Sequence, residues 1–275
     1  MNKHQGIGGL TGREPFGAIV TVGHKGDRGF PTDTDRFYIV QTTQDEKKVR
    51  PPHPAFAPFN NAVNKDFCKV LYGNIVHASA NEAFNYHLKA QVLGKAHPDM
   101  RPACVGDGKT AERWIGDDVF KTIPCPNDKC EYRTGVKPAC KPFGRIAFRL
   151  RWKKEGAMPS PLVKLSTGSW NTVGNLLGFF DYIAAQARLL GVAQYSLYGL
   201  PFMLTVTRKT KPSQNKAFPV VTIAPDGDLQ DFLWTQSDRM KELEGRSIAA
   251  LTDGGYAEEH ADLVTIEPGM PGRDG

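Results

Sequence analysis

Long apolar runs are missing from this chain. No stretch reaches the roughly 18 consecutive apolar residues of a membrane-spanning helix, so no transmembrane helix and no membrane partner are expected. The first residues, Met1-Asn2-Lys3-His4-Gln5-Gly6, carry no apolar core of the signal-peptide kind, which makes the cytoplasm the expected compartment. Cysteine is scarce and odd in number, five in 275 residues. In a reducing compartment so few thiols serve metal or redox chemistry rather than a disulfide framework. Histidines are few and scattered, at His4, His24, His53, His77, His87, His97 and His260, with no pair at helical ligand spacing. No Ser/His/Asp arrangement follows from such dispersal. The short run Gly106-Asp107-Gly108-Lys109-Thr110 lacks the longer Gly-x4-Gly-Lys-Ser/Thr frame of a phosphate loop and reads as a turn. No internal repeat is present.

The chain does have length enough for a sizeable core, and an uneven charge. Its 275 residues fit one large domain or two small ones. The formal net charge of +6 conceals a segregation: residues 224–275 hold twelve acids and four bases, or −8, which leaves +14 on residues 1–223. A basic body suits a polyanion, and an acidic segment recruits basic partners or competes for the same surface. The expected division is a main α+β domain over 1–223 and an acidic C-terminal segment over 224–275, one short helix and then a flexible tail.

Periodicity supplies the elements. Two strands are expected at Ala18–Val22 and Arg36–Thr42, amid Gly and Pro clusters that disfavour helix in the first sixty residues. Ala83–Val92 alternates Phe84, Tyr86, Leu88 and Ala90 with Asn85, His87, Lys89 and Gln91, the period of a half-buried strand. Arg145–Trp152 alternates more sharply, with Ile146, Phe148, Leu150 and Trp152 on one face and Arg145, Arg149 and Arg151 on the other. A helix over about 169–190 follows from a capping hydroxyl in Ser166-Thr167-Gly168-Ser169, an apolar stripe from Val173 to Leu190, and Gly191 as terminator. Phe202–Val206 and Phe218–Thr222 form a hairpin around the basic linker 208–216, and Leu229–Leu251 reads as a last helix. The fold class expected is α+β: mostly antiparallel sheet or a partial barrel, with one prominent helix and a four-cysteine zinc loop.

Cys104, Cys125, Cys130 and Cys140 are separated by twenty, four and nine residues. Four thiolates make a closed, structural Zn2+ site, which predicts a zinc loop over about 104–140 and leaves Cys68 as a spare. The alternative, ordinary buried thiols, stays open. A deaminase-type centre needs His-x-Glu ahead of Pro-Cys-x-x-Cys, and the chain has Pro124-Cys125 without either the upstream pair or the two-residue spacer. No catalytic residues are assigned. Between Lys129 and Lys154 nine bases face a single acid, Glu131. Such density calls for phosphate, and Lys141, Arg145, Arg149, Arg151, Lys153 and Lys154 are the candidate nucleic-acid contacts. Trp170 is a stacking candidate with Tyr132 and Phe143, and Lys209 and Lys211 extend the set to the hairpin tip.

On these residues the chain resembles a known group. Ala103-Cys-Val-Gly-Asp-Gly108, Pro124-Cys125 through Cys130, and Cys140-Lys-Pro-Phe-Gly-Arg145 follow the motif order of the zinc-binding recombination directionality factors of phages and mobile elements. So do Thr167-Gly-Ser-Trp-Asn-Thr172 with Asn175-Leu176, and Gly199-Leu-Pro-Phe-Met-Leu204 followed by Phe218-Pro-Val-Val221. The resemblance covers roughly residues 16 to 225, and the block from Cys140 to Arg145 is its most specific piece. It implies a non-enzymatic accessory in a bacterial host cell that binds a large serine integrase on DNA and turns integration toward excision. The rival reading, from charge and aromatics alone, is a single-stranded nucleic-acid-binding protein of phage or plasmid replication. A zinc-dependent hydrolase is the third class and the one the motifs disfavour.

Overall fold

The computed structural model describes residues 17–25, 31–43, 50–63, 66–91, 102–116, 119–125, 130–132, 139–152, 159–211 and 216–252, without the side chains of 24, 25, 31, 33, 91, 211, 216 and 245–252. The strands are β1 (Ala18–Lys25), β2 (Pro31–Val40), β3 (Val70–Ile75), β4 (Phe84–Gln91), β5 (Pro102–Gly106), β6 (Thr110–Gly116), β7 (Val119–Pro124), β8 (Cys140–Arg151), β9 (Leu162–Thr167), β10 (Pro201–Lys211) and β11 (Lys216–Pro225). The helices are α1 (Ala57–Asn60), α2 (Ala80–Ala83), α3 (Trp170–Leu189) and α4 (Leu229–Thr252).

β8 organises the sheet because it is long enough to serve three partners. One edge pairs with β4 along Cys140–Ile146 and then with β3 along Phe148–Arg151; the other pairs with β9 along Gly144–Arg149. From β3 the sheet continues to β10 and β11, from β4 to β5, β6 and β7, and from β9 to β1 and β2. All pairings are antiparallel except β1 with β9. The α+β class expected from the sequence holds, and the sheet is open: the described strands do not close into a barrel.

Alternation along β8 gives each face its character. Ile146, Phe148 and Leu150 point inward, each at most 1% exposed, and burying each contributes roughly 1.5–3 kcal/mol. They join Phe37, Phe84, Phe180, Phe202 and Leu233 in one continuous core. Every described helix places buried apolar residues in that core: Phe59 of α1, Ala83 of α2, Leu176 and Ile183 of α3, Leu229 and Leu233 of α4. Trp152 packs edge-on against Phe59, as a core residue rather than a stacking platform.

The sequence expectations for α3 and β4 fit within a residue or two. Ser169 caps α3 by accepting from the Thr172 amide at 3.4 Å, and Gly191, at φ 68°, ends it where a side chain would be strained. α3 also covers the outermost strand of its wing. The Val221 amide of β11 donates to Thr172 Oγ1 at 3.1 Å, and Asn175 Nδ2 donates to the Val221 carbonyl at 2.9 Å. These contacts satisfy backbone groups on an edge strand that would otherwise recruit another chain. They also explain why Thr172 and Asn175 sit in the sequence block they occupy.

Three expectations need correction. The first sixty residues do contain helix, a 3-10 turn at Pro54–Phe56 running into α1, because the prolines stand at first-turn positions where no amide is needed. α3 is not the one prominent helix. The acidic segment opens with α4, 24 residues, which fits the Leu229–Leu251 expectation within a residue and is longer than the one short helix of the expected domain division; Asp228 Oδ1 caps it by accepting from the Gln230 and Asp231 amides at 2.8 and 3.2 Å, and Leu233 anchors it in the core.

Candidate functional site

The inward face of β8 and its neighbours carries the thiols. Ala90 of β4 stands in register with Cys140 of β8 on one side and Cys104 of β5 on the other, so both cysteines share a face across one small residue. Cys125 follows the last residue of β7, and its amide donates to the Lys109 carbonyl at 2.8 Å. Cys130 lies in the connection to β8, which closes when the Cys140 amide donates to the Tyr132 carbonyl at 2.7 Å. Cys104 and Cys125 are buried in a small apolar cluster with Leu88, Ala90 and Ala111, against which Ile123, Tyr132 and Cys140 pack. The turn before β6 is built as the sequence suggests: Asp107 Oδ1 accepts from the Lys109 and Thr110 amides at 2.7 and 2.8 Å. Those amides hold the Asp107 carboxyl below the usual carboxylate range.

Arg113 of β6 sits among the thiols, in register with Cys104. Its guanidinium donates to Cys130 Sγ at 3.4 Å and to Glu131 Oε1 at 2.6 Å, and lies 4.8 Å from the Tyr132 ring centroid. Burial pushes the Cys104 thiol up, partly offset by Arg113. No disulfide joins any of the five cysteines. An all-sulfur donor set is the chemistry of structural zinc, and the fold does bring the four cysteines to one end of the sheet. Among the described residues, however, no group of three or more His, Cys, Asp or Glu side chains is arranged to hold a metal ion. The fifth cysteine, Cys68, is remote from these and buried against Arg36, whose guanidinium approaches its Sγ at 2.9 Å.

The opposite face of β8 carries cations. Lys141, Phe143, Arg145 and Arg149 point outward, and the register sets Lys89 beside Lys141, His87 beside Phe143, and Asn85 beside Arg145. Phe143 is surrounded: Lys89 Nζ is 4.0 Å from its centroid, Arg145 Cζ 5.6 Å and the His87 ring 5.0 Å. Burial, with the nearby charges of Lys89 and Arg145, holds the His87 imidazole below its ordinary value. Arg149 donates to the Ser160 carbonyl at 3.2 Å.

The other candidates separate from this group. Arg151 ion-pairs with Asp226, a fixed structural contact at the end of β11. Lys209 lies on the part of the β10–β11 hairpin beyond the residues that β3 pairs, where Thr207, Arg208, Lys209 and Thr210 are all exposed. Trp170 opens α3 and is 43% exposed. Lys153 and Lys154 lie outside the described residues, as does the side chain of Lys211. Sequence reasoning left out Lys89 and His87. Their signal, the polar half of the β4 alternation, was legible, but the register that sets them beside Lys141 and Phe143 was not.

An open, mostly antiparallel sheet thus carries a thiol cluster on one face of its longest strand and cations on the other. A family model described as Gp3-like, recombination directionality factor-like, matches residues 16–226, and the chain belongs to that family. That membership supports a role connected with DNA recombination. No curated protein and no solved structure matches the chain.

Proposed function

We propose that this protein is a recombination directionality factor, a non-catalytic accessory that binds a large serine integrase on DNA and shifts it from integration toward excision in a bacterial host's cytoplasm. The observation that carries the reading is the family match over residues 16–226, a span that takes in all eleven strands and α3. The match therefore concerns the whole β framework and not one motif. The Cys140–Arg145 block is accounted for residue by residue within that framework: a thiol inward, a cation outward, a buried proline, a ringed phenylalanine, a glycine and a second outward cation.

The same reading includes one structural zinc held by Cys104, Cys125, Cys130 and Cys140. Zinc would supply folding energy to the end of the sheet where β5, β7 and β8 meet. Arg113 supports it as a donor to sulfur, since a thiolate ligand takes part of its stabilisation from hydrogen bonds beyond the metal. No reaction is assigned to the metal.

The test is recombination in vitro with the integrase encoded by the same mobile element. Adding this protein should raise excision and suppress integration; an unchanged ratio with properly folded protein rejects the reading.

A further inference from the structure

We propose that the outward face of β3, β4, β8 and β9 binds single-stranded DNA along β8, with Lys89, Lys141, Arg145 and Arg149 taking phosphates and Phe143 and His87 lying beside the bases. Besides Arg151, five cations gather on one face, Lys89, Lys141, Arg145, Arg149 and Lys164, and no carboxylate stands at any described outward position of these four strands. Among the described residues, the nearest acid to Lys89 by register is Glu112, two strands beyond it. Arg151, at the far end of the row, is answered by Asp226, which leaves the excess concentrated between Lys141 and Arg149. None of the described helices packs its apolar side on this face, because each places its buried apolar residues in the inward core.

Cations this close repel one another, and an anion relieves that repulsion. Phosphate is the anion whose spacing suits a row. Lys141 to Arg149 covers eight residues of strand, on the order of 26 Å at about 3.3 Å each, comparable with the short end of single-strand site sizes, ~4 nucleotides. Duplex readout asks instead for a helix or ribbon that enters a groove, and this face presents neither. The β10–β11 hairpin with Arg208 and Lys209 is the ribbon shaped for that task, and it extends beyond the residues of β10 that β3 pairs, away from the Lys141–Arg149 row. The inference does not depend on the integrase reading.

The experiment is fluorescence anisotropy of the full chain, without integrase, with a labelled oligothymidine of about twelve nucleotides and with a duplex of equal length, across a salt series. The single strand should bind more tightly, with log K falling against log salt by about 0.7 per phosphate contacted, or about 2.8 for four. Lys141→Gln with Arg149→Gln, both at exposed positions, should make the slope shallower by about 1.4. Lys89→Gln with Arg145→Gln should do the same, and circular dichroism of each pair checks the fold. Arg208→Gln with Lys209→Gln should leave the slope unchanged. Salt-independent or absent binding, tighter binding of the duplex, or a slope altered only by the hairpin pair overturns the proposal. Because no integrase is present, failure here leaves the recombination assay unaffected, and failure there leaves this result standing.

Discussion

Cys104 and Cys140 are in register on either side of Ala90, which is fully buried. Two strand spacings set their α-carbons on the order of 10 Å apart, so their sulfurs approach only by leaning over the alanine methyl. If the four cysteines hold zinc, elemental analysis should return about one zinc per chain. Ala90→Leu should then lower that content sharply by standing between two ligands, while limited proteolysis shows the β3–β10–β11 side intact. Full zinc in the Ala90 variant, or none in a folded wild type, counts against the site.

Gly144 is an inward position with no room for a side chain. A Cβ there would stand 2.6 Å from the Phe84 ring and 3.1 Å from Val173 Cγ2. Gly144→Ala should therefore destabilise by about 1–3 kcal/mol, the usual cost of overpacking, read as a lower urea midpoint with an unchanged slope. Phe84→Leu should recover part of the loss, since it withdraws the ring that clashes.

Arg36 is 5% exposed and binds the loop carrying α1, donating to the Phe59 and Asn60 carbonyls at 3.0 and 2.8 Å. Arg36→Met strands buried acceptors, which costs about 1–3 kcal/mol, and should lower the thermal midpoint. Burial pushes the Cys68 thiol up, with Arg36 opposing in part. In native protein at mildly alkaline pH, alkylation mapped by mass spectrometry should spare Cys68 until denaturant is added.

His87 gives a pH dependence of defined sign. Burial first, then Lys89 and Arg145, holds its imidazole below the unfolded value of 6.5. The folded protein thus favours the neutral ring; its contribution to stability is complete above about pH 6.5 and is lost as pH falls through the lower folded value. NMR titration should place His87 below a free histidine. Lys89→Gln should move it back up, and His87→Gln should blunt the loss of stability on acidification.

Much of the architecture was legible in the sequence where period and punctuation agree. Ser169 and Gly191 bracket α3, and the alternation of Phe84–Ala90 and of Ile146–Leu150 fixes which side chains point inward. β8 starts five residues earlier than its alternation suggests, because Pro142 and Gly144 interrupt the apolar pattern while filling inward positions. β7 escaped notice for the opposite reason: Val119, Lys121, Thr122 and Pro124 are exposed, so it has no apolar half to read. The candidate site was legible as residue types and not as neighbours. Cys104 and Cys140 are thirty-six positions apart in the chain, and only the register of β4 with both β5 and β8 sets them on one face.

β8 also tolerates change unequally. Any one of its side chains can be exchanged at a local cost, but adding or deleting a single residue between Cys140 and Arg149 would invert the orientation of everything on one side of the lesion. With the lesion beyond Arg145, Cys140 would then face water while the Arg145 guanidinium turned toward Phe84 and Phe180. The length of this strand is thus under tighter physical constraint than its composition, and engineering of the surface should proceed by substitution alone.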